Sequence, residues 1–502
     1  MSTTDYLIGL DFGTSQTKVC LLNKNNNLRE FLKFGDNKYF LPSLITKKNN
    51  GTFSYGNEDD VGEKFRYFKM AAAEDEELLQ TTHEDIDGKL EDDNIDNYRK
   101  YAEKVDINAE TLVVLYLSYV YLYIKKKKET KKVSPLGGLL GRLATTNHDS
   151  KFTYSVNLGI PTEWNNPDHI KRKTKFQSLL ITSVILANQF KDIEQFVSEE
   201  CSDLLQKIAK INTDHLSELE NMDGIQRKQV INSWLDQYNL SVFPESAAGI
   251  NYLLKTKRLE NGAYATMDIG AGTSDLAIFE VRNHVLSRYY CAESASIASN
   301  DFYREYAKQL NNRESVTYNE IKNAENLIRR HRDEVEENYL REAIRIVKGN
   351  LGQQGLEFLI RKTFYRKYYI NLFHQDRQRA RASIDILDES PIIVLGGGAN
   401  LEGLSEGTYC FFKGANPFGN FDKNFNAKEI TDYVQQVDIH DPDNEIGDHI
   451  NLLILALGLT YSEQNSNFIP FYLPQDQPDE VNRPLLDTDR YFYYDLQEAA
   501  YK

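Results

Sequence analysis

The stretch Met267-Asp268-Ile269-Gly270-Ala271-Gly272-Thr273-Ser274-Asp275 repeats the pattern of Leu10-Asp11-Phe12-Gly13-Thr14-Ser15-Gln16-Thr17-Lys18, some 257 residues earlier. Each copy follows an apolar run, Tyr6 to Leu10 and Ala263 to Met267. Each leads into another, Val19 to Leu22 and Leu276 to Val281. This predicts strand, glycine turn, strand, with an acid at the end of the first strand. Glycine lacks a Cβ and reaches positive φ cheaply, so such a turn can bring backbone N–H groups close to phosphate. The acid repels phosphate but can hold the hydrated Mg²⁺ that accompanies a nucleoside triphosphate. Two copies imply two related lobes closing on one nucleotide.

Composition bounds the rest. A chain of 502 residues accommodates two or more domains with ample cores. Its 41% hydrophobic and 27% charged content is that of a soluble globular protein. The formal net charge of −16 argues against nucleic acid or an anionic membrane as the main partner. Cys20, Cys201, Cys291 and Cys410 are scattered without a C-x-x-C pair, which fits a reducing cytoplasm better than a disulfide framework or a zinc site. The N-terminus has no basic-then-apolar leader, so no signal peptide is expected. Leu112 to Ile124 mimics a membrane span, being apolar or tyrosine except for Ser118. As a helix it covers only about 20 Å of the roughly 30 Å of hydrocarbon. A buried helix starting near Asn108 is expected, with Lys125 to Lys128 at its C-terminal end, where the helix dipole favours cations.

Along the chain, Tyr6 to Phe53 reads as a strand meander, and Glu58 to Asp96 as helical and acidic. Pro135 and nearby glycines mark a loop, Phe152 to Ile160 a strand, and Lys171 to Leu235 a largely helical region. Val242 to Gly249 predicts a strand end, a turn and a small-residue helix start. Asp301 to Phe373 predicts a helical subdomain. Pro391 to Leu395 is a buried-strand run ending in Gly396-Gly397-Gly398, and Asn451 to Tyr461 is an apolar helix holding Ala456 and Gly458.

An acid-glycine turn, a small-residue helix beside a glutamate, a second acid-glycine turn, a triple glycine and a second small-residue helix thus stand in order. Together they resemble the ATPase superfamily of actin, the 70-kDa heat-shock chaperones and the sugar kinases. The resemblance covers roughly residues 5 to 462. It implies an α/β, two-lobed actin-like fold of duplicated ribonuclease H-like lobes with inserted helical subdomains. The first lobe would span 1–245 with an insertion around 40–150, and the second 246–462 with a helical subdomain around 300–385. Residues 463–502 would form a tail packed on the first lobe.

Within the superfamily, the ATPase part of DnaK-type chaperones is most similar. Leu41-Pro42-Ser43 with Tyr55-Gly56, Arg66-Tyr67-Phe68-Lys69, Val156 to Pro161 and Asn300-Asp301-Phe302 each resemble a segment of that family. The resemblance implies ATP and Mg²⁺ as cofactors. Asp11 and Asp268 would hold the metal through water. Gly13, Thr14, Ser15, Gln16, Gly270, Ala271, Gly272 and Thr273 would cradle the phosphates. Lys69 would stabilise charge on the transferred group, with Glu245 or Asp275 positioning water or the metal's hydration shell. Gly397, Gly398, Ala399 and Asn400 would accept the nucleoside, with Glu325 and Arg329 on its other side. The helices near Ala247 and Gly458 would cross closely and act as the hinge.

Three departures stand out. Pro244-Glu245-Ser246 replaces the chaperones' Glu-Pro-Thr and looks more like plasmid-segregating actins. Ala399-Asn400-Leu401 stands where the chaperones place an adenine-stacking arginine, leaving base selectivity open. Only fifteen residues follow Asp487, too few for the peptide-gripping β-sandwich. The expectation is a slowly hydrolysing, DnaK-like switch acting through a partner protein the sequence does not identify. The rivals are a filament-forming actin-like ATPase and a small-molecule kinase. Two decoys are set aside. Gly403-Leu404-Ser405-Glu406-Gly407 lacks the strand that a hydrolase elbow needs, and the acids and histidines from His440 to His449 read as a solvated loop.

Overall fold

The computed structural model describes residues 4–35, 38–73, 107–130, 152–165, 170–220, 222–255, 259, 261–295, 298–313, 316–330, 335–336, 338–343, 345–346, 392–400, 427–429, 439, 446 and 449–461. The protein is α/β with mixed sheets, and it divides into two compact units. Unit 1 is Met1–Ile160, Pro167–Phe243 and Asp438–Asp443; unit 2 is Pro161–Asn166, Pro244–Val437 and Asn444–Lys502.

Unit 1 is built on β1 (Thr4–Phe12), β2 (Gln16–Asn23), β3 (Leu28–Phe31), β4 (Leu41–Pro42), β8 (Phe152–Ile160) and β9 (Leu240–Pro244). They order as β3-β2-β1-β8-β9, with the short β4 also on β2. β1 runs antiparallel to β2 and parallel to β8. The last five residues of both β1 and β8 are buried, so these central strands are covered on both faces where they approach the first glycine turn. A second sheet holds β5 (Leu44–Lys48), β6 (Phe53–Tyr55) and β7 (Gly62–Arg66), in the order β6-β5-β7.

β7 corrects part of the helical expectation for Glu58 onward. Its charged residues hide the strand signal, and the register alone reveals it. Phe65 pairs with Ile45 and is buried, while Lys64 and Arg66 on either side are half-buried and Glu63 is exposed. A short helix, α1 (Phe68–Ala73), follows directly.

The apolar segment becomes α2 (Ala109–Thr130). Asn108 caps it, its side-chain oxygen accepting from the Thr111 N–H at 2.8 Å, and Lys127 and Lys128 lie in the last turn. The Ser118 hydroxyl points at Val114 O (2.7 Å) and Ser183 O (2.9 Å), which removes the cost of its burial. No described helix is long and apolar enough to cross a membrane. With α3 (Ile170–Ala187), α2 covers one face of the sheet, where Leu117, Tyr121, Leu180 and Val184 converge on Ile8, Leu10 and Val156. Four helices, α4 (Ile193–Ser198), α5 (Cys201–Ile211), α6 (Ser217–Glu220) and α7 (Gly224–Tyr238), lead back to β9.

In unit 2, β9 ends at Pro244 and α8 (Glu245–Lys255) begins at the next residue, with no intervening turn. Then follow β10 (Gly262–Ile269), β11 (Ser274–Arg282), β12 (Val285–Ala295), α9 (Ser299–Asn311), α10 (Tyr318–Arg330), β13 (Ile392–Leu395), β14 (Ala427–Glu429) and α11 (Ile450–Leu459). The sheet order is β12-β11-β10-β13-β14. β10 runs antiparallel to β11 and parallel to β13. This is the order of the unit 1 sheet, strand for strand, and β10 relates to its two neighbours in the same sense as β1 does to β2 and β8. The repetition first seen in nine residues therefore extends over a whole sheet.

Expectations placed on 74–106, 131–150, 347–391, Gly403 to Gly407, His440 to Glu445 and the tail 463–502 fall outside the described residues.

Candidate functional site

The first turn joins β1 to β2. The Gly13 N–H donates to Gln16 O at 3.1 Å, and a Cβ on Gly13 would collide with that same oxygen. Glycine is required here by close approach rather than by its φ. Behind the turn stands Ser43, just past β4. Its hydroxyl donates to Gly13 O at 2.7 Å and its N–H to Ser15 O at 2.9 Å. Ser43 is held in turn by Tyr116 of α2, whose hydroxyl donates to Pro42 O at 3.0 Å. Burial raises the Tyr116 phenol, so it remains a donor.

Asp11 is buried, and Lys18 lies directly across the β1–β2 ladder with Nζ 3.0 Å from Asp11 Oδ2. Sequence reasoning put Asp11 on the metal and did not single out Lys18. The signal was available: seven residues across a three-residue turn face each other in a hairpin. The first turn therefore carries a balanced acid–ammonium pair. Lys69 is the second residue of α1 and is buried, with Nζ 5.7 Å from the centre of the Phe12 ring. Phe12 lies between Asp11 and Gly13, packed against Phe68 and Tyr116 at 6.0 and 5.6 Å. Tyr67, just before α1, is buried with φ of 60°, a conformation a bulky residue adopts only when its surroundings impose it.

The second turn joins β10 to β11 with the same internal bond, the Gly270 N–H donating to Thr273 O at 2.9 Å. Here too a Cβ on the glycine would crowd that oxygen, at 2.9 Å. Ser299, the first residue of α9, donates its hydroxyl to Gly270 O at 2.8 Å, and the Asn300 N–H donates to Ala271 O at 3.0 Å. Asp301 reaches back to the Ala298 N–H at 2.8 Å, fixing the start of that helix.

The residue across the ladder from Asp268 is Asp275. Where the first turn pairs an acid with a lysine, the second sets two acids opposite each other. Like charges so placed repel, and a bound cation relieves the repulsion.

In both turns the N–H groups of Thr14, Ser15, Ala271 and Gly272 find no acceptor among the described residues. The same holds for a partner to the Thr14, Ser15 and Thr273 hydroxyls. These residues are half-buried. Such groups form anion-binding concavities.

The triple glycine packs on the second turn. Gly396 has φ of 81°, and a Cβ there would strike Asp268 Oδ1 and Ile269 O. Gly397 opens a single 3₁₀ turn running to Asn400, and Gly398 lies against the Ile269 side chain. Ala399 and Asn400 fall in that turn, their side chains outside the described set. Glu245 is buried at the start of α8. Glu325 lies on α10 and pairs with Lys322 at 2.7 Å, a contact within its own helix; Arg329 is on the same helix, its side chain outside the described set.

The α8 and α11 crossing is as close as the sequence suggested. A Cβ at Gly458 would run into the Ala248 carbonyl, and one at Gly249 would stand 2.6 Å from Leu395 Cδ1. Beside it, the Ser246 N–H donates to Thr162 Oγ1 at 3.0 Å, and its hydroxyl meets Tyr289 Oη at 3.0 Å.

No protein-family model matches the chain, and no curated protein matches it.

Proposed function

We propose that this protein binds Mg-ATP and hydrolyses it slowly, acting as a DnaK-like molecular switch that a partner protein reads, on the two-lobed actin-like ATPase fold. The observation that carries the reading is the pair of equivalent turns. Both present N–H groups with no acceptor among the described residues, one beside an acid–ammonium pair and the other beside two acids. A nucleoside triphosphate with its Mg²⁺ needs donors for phosphate oxygens and carboxylates for the metal's water shell, and these turns hold both. The repeated strand order of the two sheets supports the fold.

In this reading Thr14, Ser15, Gln16, Ala271, Gly272 and Thr273 donate to the phosphates. Asp268 and Asp275 hold the hydrated metal, with Asp11 kept in place by Lys18. The Lys18 and Lys69 ammonium groups offset charge on the phosphates. Glu245 orients the attacking water. Bound Mg²⁺ would neutralise charge on the phosphoryl oxygens. Gly397, Gly398, Ala399 and Asn400 face the nucleoside. The α8–α11 crossing lets nucleotide state bias a conformational change.

The test is Mg-ATP binding and turnover in wild type beside Asp268→Ala and Lys69→Ala. The first should weaken Mg-ATP handling; the second should keep binding and lose hydrolysis. Unchanged turnover in both would remove the site assignment. One observation favours a filament-forming actin-like ATPase instead: Pro244 closes β9 and Glu245 opens α8, the order seen in plasmid-segregating actins. Assembly into pelletable filaments with ATP would favour that second reading.

A further inference from the structure

We infer that Ser43 and Ser299 are two copies of one positioning residue, which sets the direction of the amides that receive phosphate; this rests on the nucleotide reading above. In a trans peptide unit the C=O of one residue and the N–H of the next point in opposite directions. Fixing a carbonyl therefore aims the following amide. The Ser43 hydroxyl fixes Gly13 O at 2.7 Å, so the Thr14 N–H points away from Ser43. The Ser299 hydroxyl at 2.8 Å and its own N–H at 3.2 Å both donate to Gly270 O, so the Ala271 N–H points away from Ser299. The Asn300 N–H fixes Ala271 O at 3.0 Å and thereby aims the Gly272 N–H. Thr14, Ala271 and Gly272 are among the residues whose amides find no acceptor among the described residues.

The two serines also occupy matching places in the duplication. Ser43 lies 30 residues after Gly13, and Ser299 lies 29 after Gly270. Each comes after the third strand of its unit, Ser43 after β3 with the short β4 between and Ser299 after β12, and each donates to the carbonyl of the first glycine of its turn. Both are buried, so water does not compete for either bond. Glycine turns are conformationally permissive, and an unclamped Gly13 or Gly270 peptide could rotate and present its carbonyl oxygen to the anion. The serines remove that alternative without touching the ligand.

The experiment is calorimetric titration of wild type, Ser43→Ala and Ser299→Ala with Mg-ATP, with Mg-tripolyphosphate and with adenosine. Alanine is smaller than serine, and urea midpoints confirm that the variants fold. Each variant is expected to bind both polyphosphates about fivefold to tenfold more weakly, with adenosine affinity unchanged. Equal Mg-ATP affinity in wild type and both variants would overturn the positioning role and leave the nucleotide reading intact. A parallel loss of adenosine affinity would also overturn it, since a general loosening does not distinguish phosphate from nucleoside. Wild type that takes tripolyphosphate but not Mg-ATP would remove the nucleotide reading, and the tripolyphosphate series would then decide the serines. Wild type that takes neither would overturn both.

Discussion

Replacing Gly458 by alanine sets two physical effects of opposite sign against each other. In a helix interior alanine is favoured over glycine by about 1 kcal/mol, so propensity alone makes Gly458→Ala stabilising. The structure demands the reverse. A Cβ at Gly458 would meet the carbonyl oxygen and carbon of Ala248 well inside 3.0 Å and stand 3.2 Å from Ala248 Cα. Reaching ordinary van der Waals separation requires α8 and α11 to part by about 2 Å. The obstacle is backbone, which cannot rotate away as a side chain can, so the cost belongs at the upper end of overpacking, about 3 kcal/mol. The net expectation is destabilisation by about 2 kcal/mol. The chain has two tryptophans, and Trp164 belongs to unit 2 while Trp234 belongs to unit 1. Urea unfolding followed by Trp164 fluorescence in a Trp234→Phe background therefore reports the affected unit. Ala248→Gly should not rescue the variant, because the clash is with the carbonyl and not with the methyl group. A Gly458→Ala protein as stable as its parent, or more so, would refute the close crossing.

Other outcomes follow from the same geometry. Gly396→Ala places a methyl group where Asp268 Oδ1 and Ile269 O now stand, at a φ of 81°. It should weaken Mg-ATP binding at least tenfold and destabilise unit 2 by about 1–3 kcal/mol, measured by titration and urea unfolding. Asp275→Asn relieves a like-charge pair, so the Mg²⁺-free protein should be equally stable or slightly more so, while the Mg²⁺ dependence of nucleotide binding weakens. A variant destabilised without Mg²⁺ would contradict this. Burial and the nearby Lys228 push Lys173 from 10.5 down to about 8. Between those values the unfolded chain binds more protons than the folded one, so this group makes stability rise with pH across that window. Lys173→Gln should therefore be more stable than wild type below pH 8, by about 1–3 kcal/mol, and the difference should vanish above pH 10.5. Comparing the two proteins at each pH cancels the half-buried Tyr119 and Tyr121, both raised to about 12, which act oppositely at high pH.

The turns were legible because close approach demands glycine at Gly13 and Gly270, and because an apolar run before each and after each reads as strand. The helix holding Ser118 was legible as a buried helix only by length; of the hydroxyl's two carbonyl partners, Ser183 O depends on α3. The serines behind the turns were invisible for the opposite reason. Serine is common, and a hydrogen bond spanning 30 or 29 residues leaves no local pattern. Lys18 was within the quoted motif, but its meaning depends on which residue faces Asp11 across the ladder. β7 was misread because Glu63, Lys64 and Arg66 outweigh one buried phenylalanine in a short edge strand.

The proposed function requires both glycine turns for Mg-ATP binding. Calorimetric titration of Mg-ATP into wild type, Gly13→Ala and Gly270→Ala tests it most directly. The expected result is one nucleotide per chain in wild type, and a large loss of affinity for that same nucleotide when either glycine is replaced. Two independent nucleotides per chain, each lost with only one of the substitutions, would contradict it, as would no binding at all.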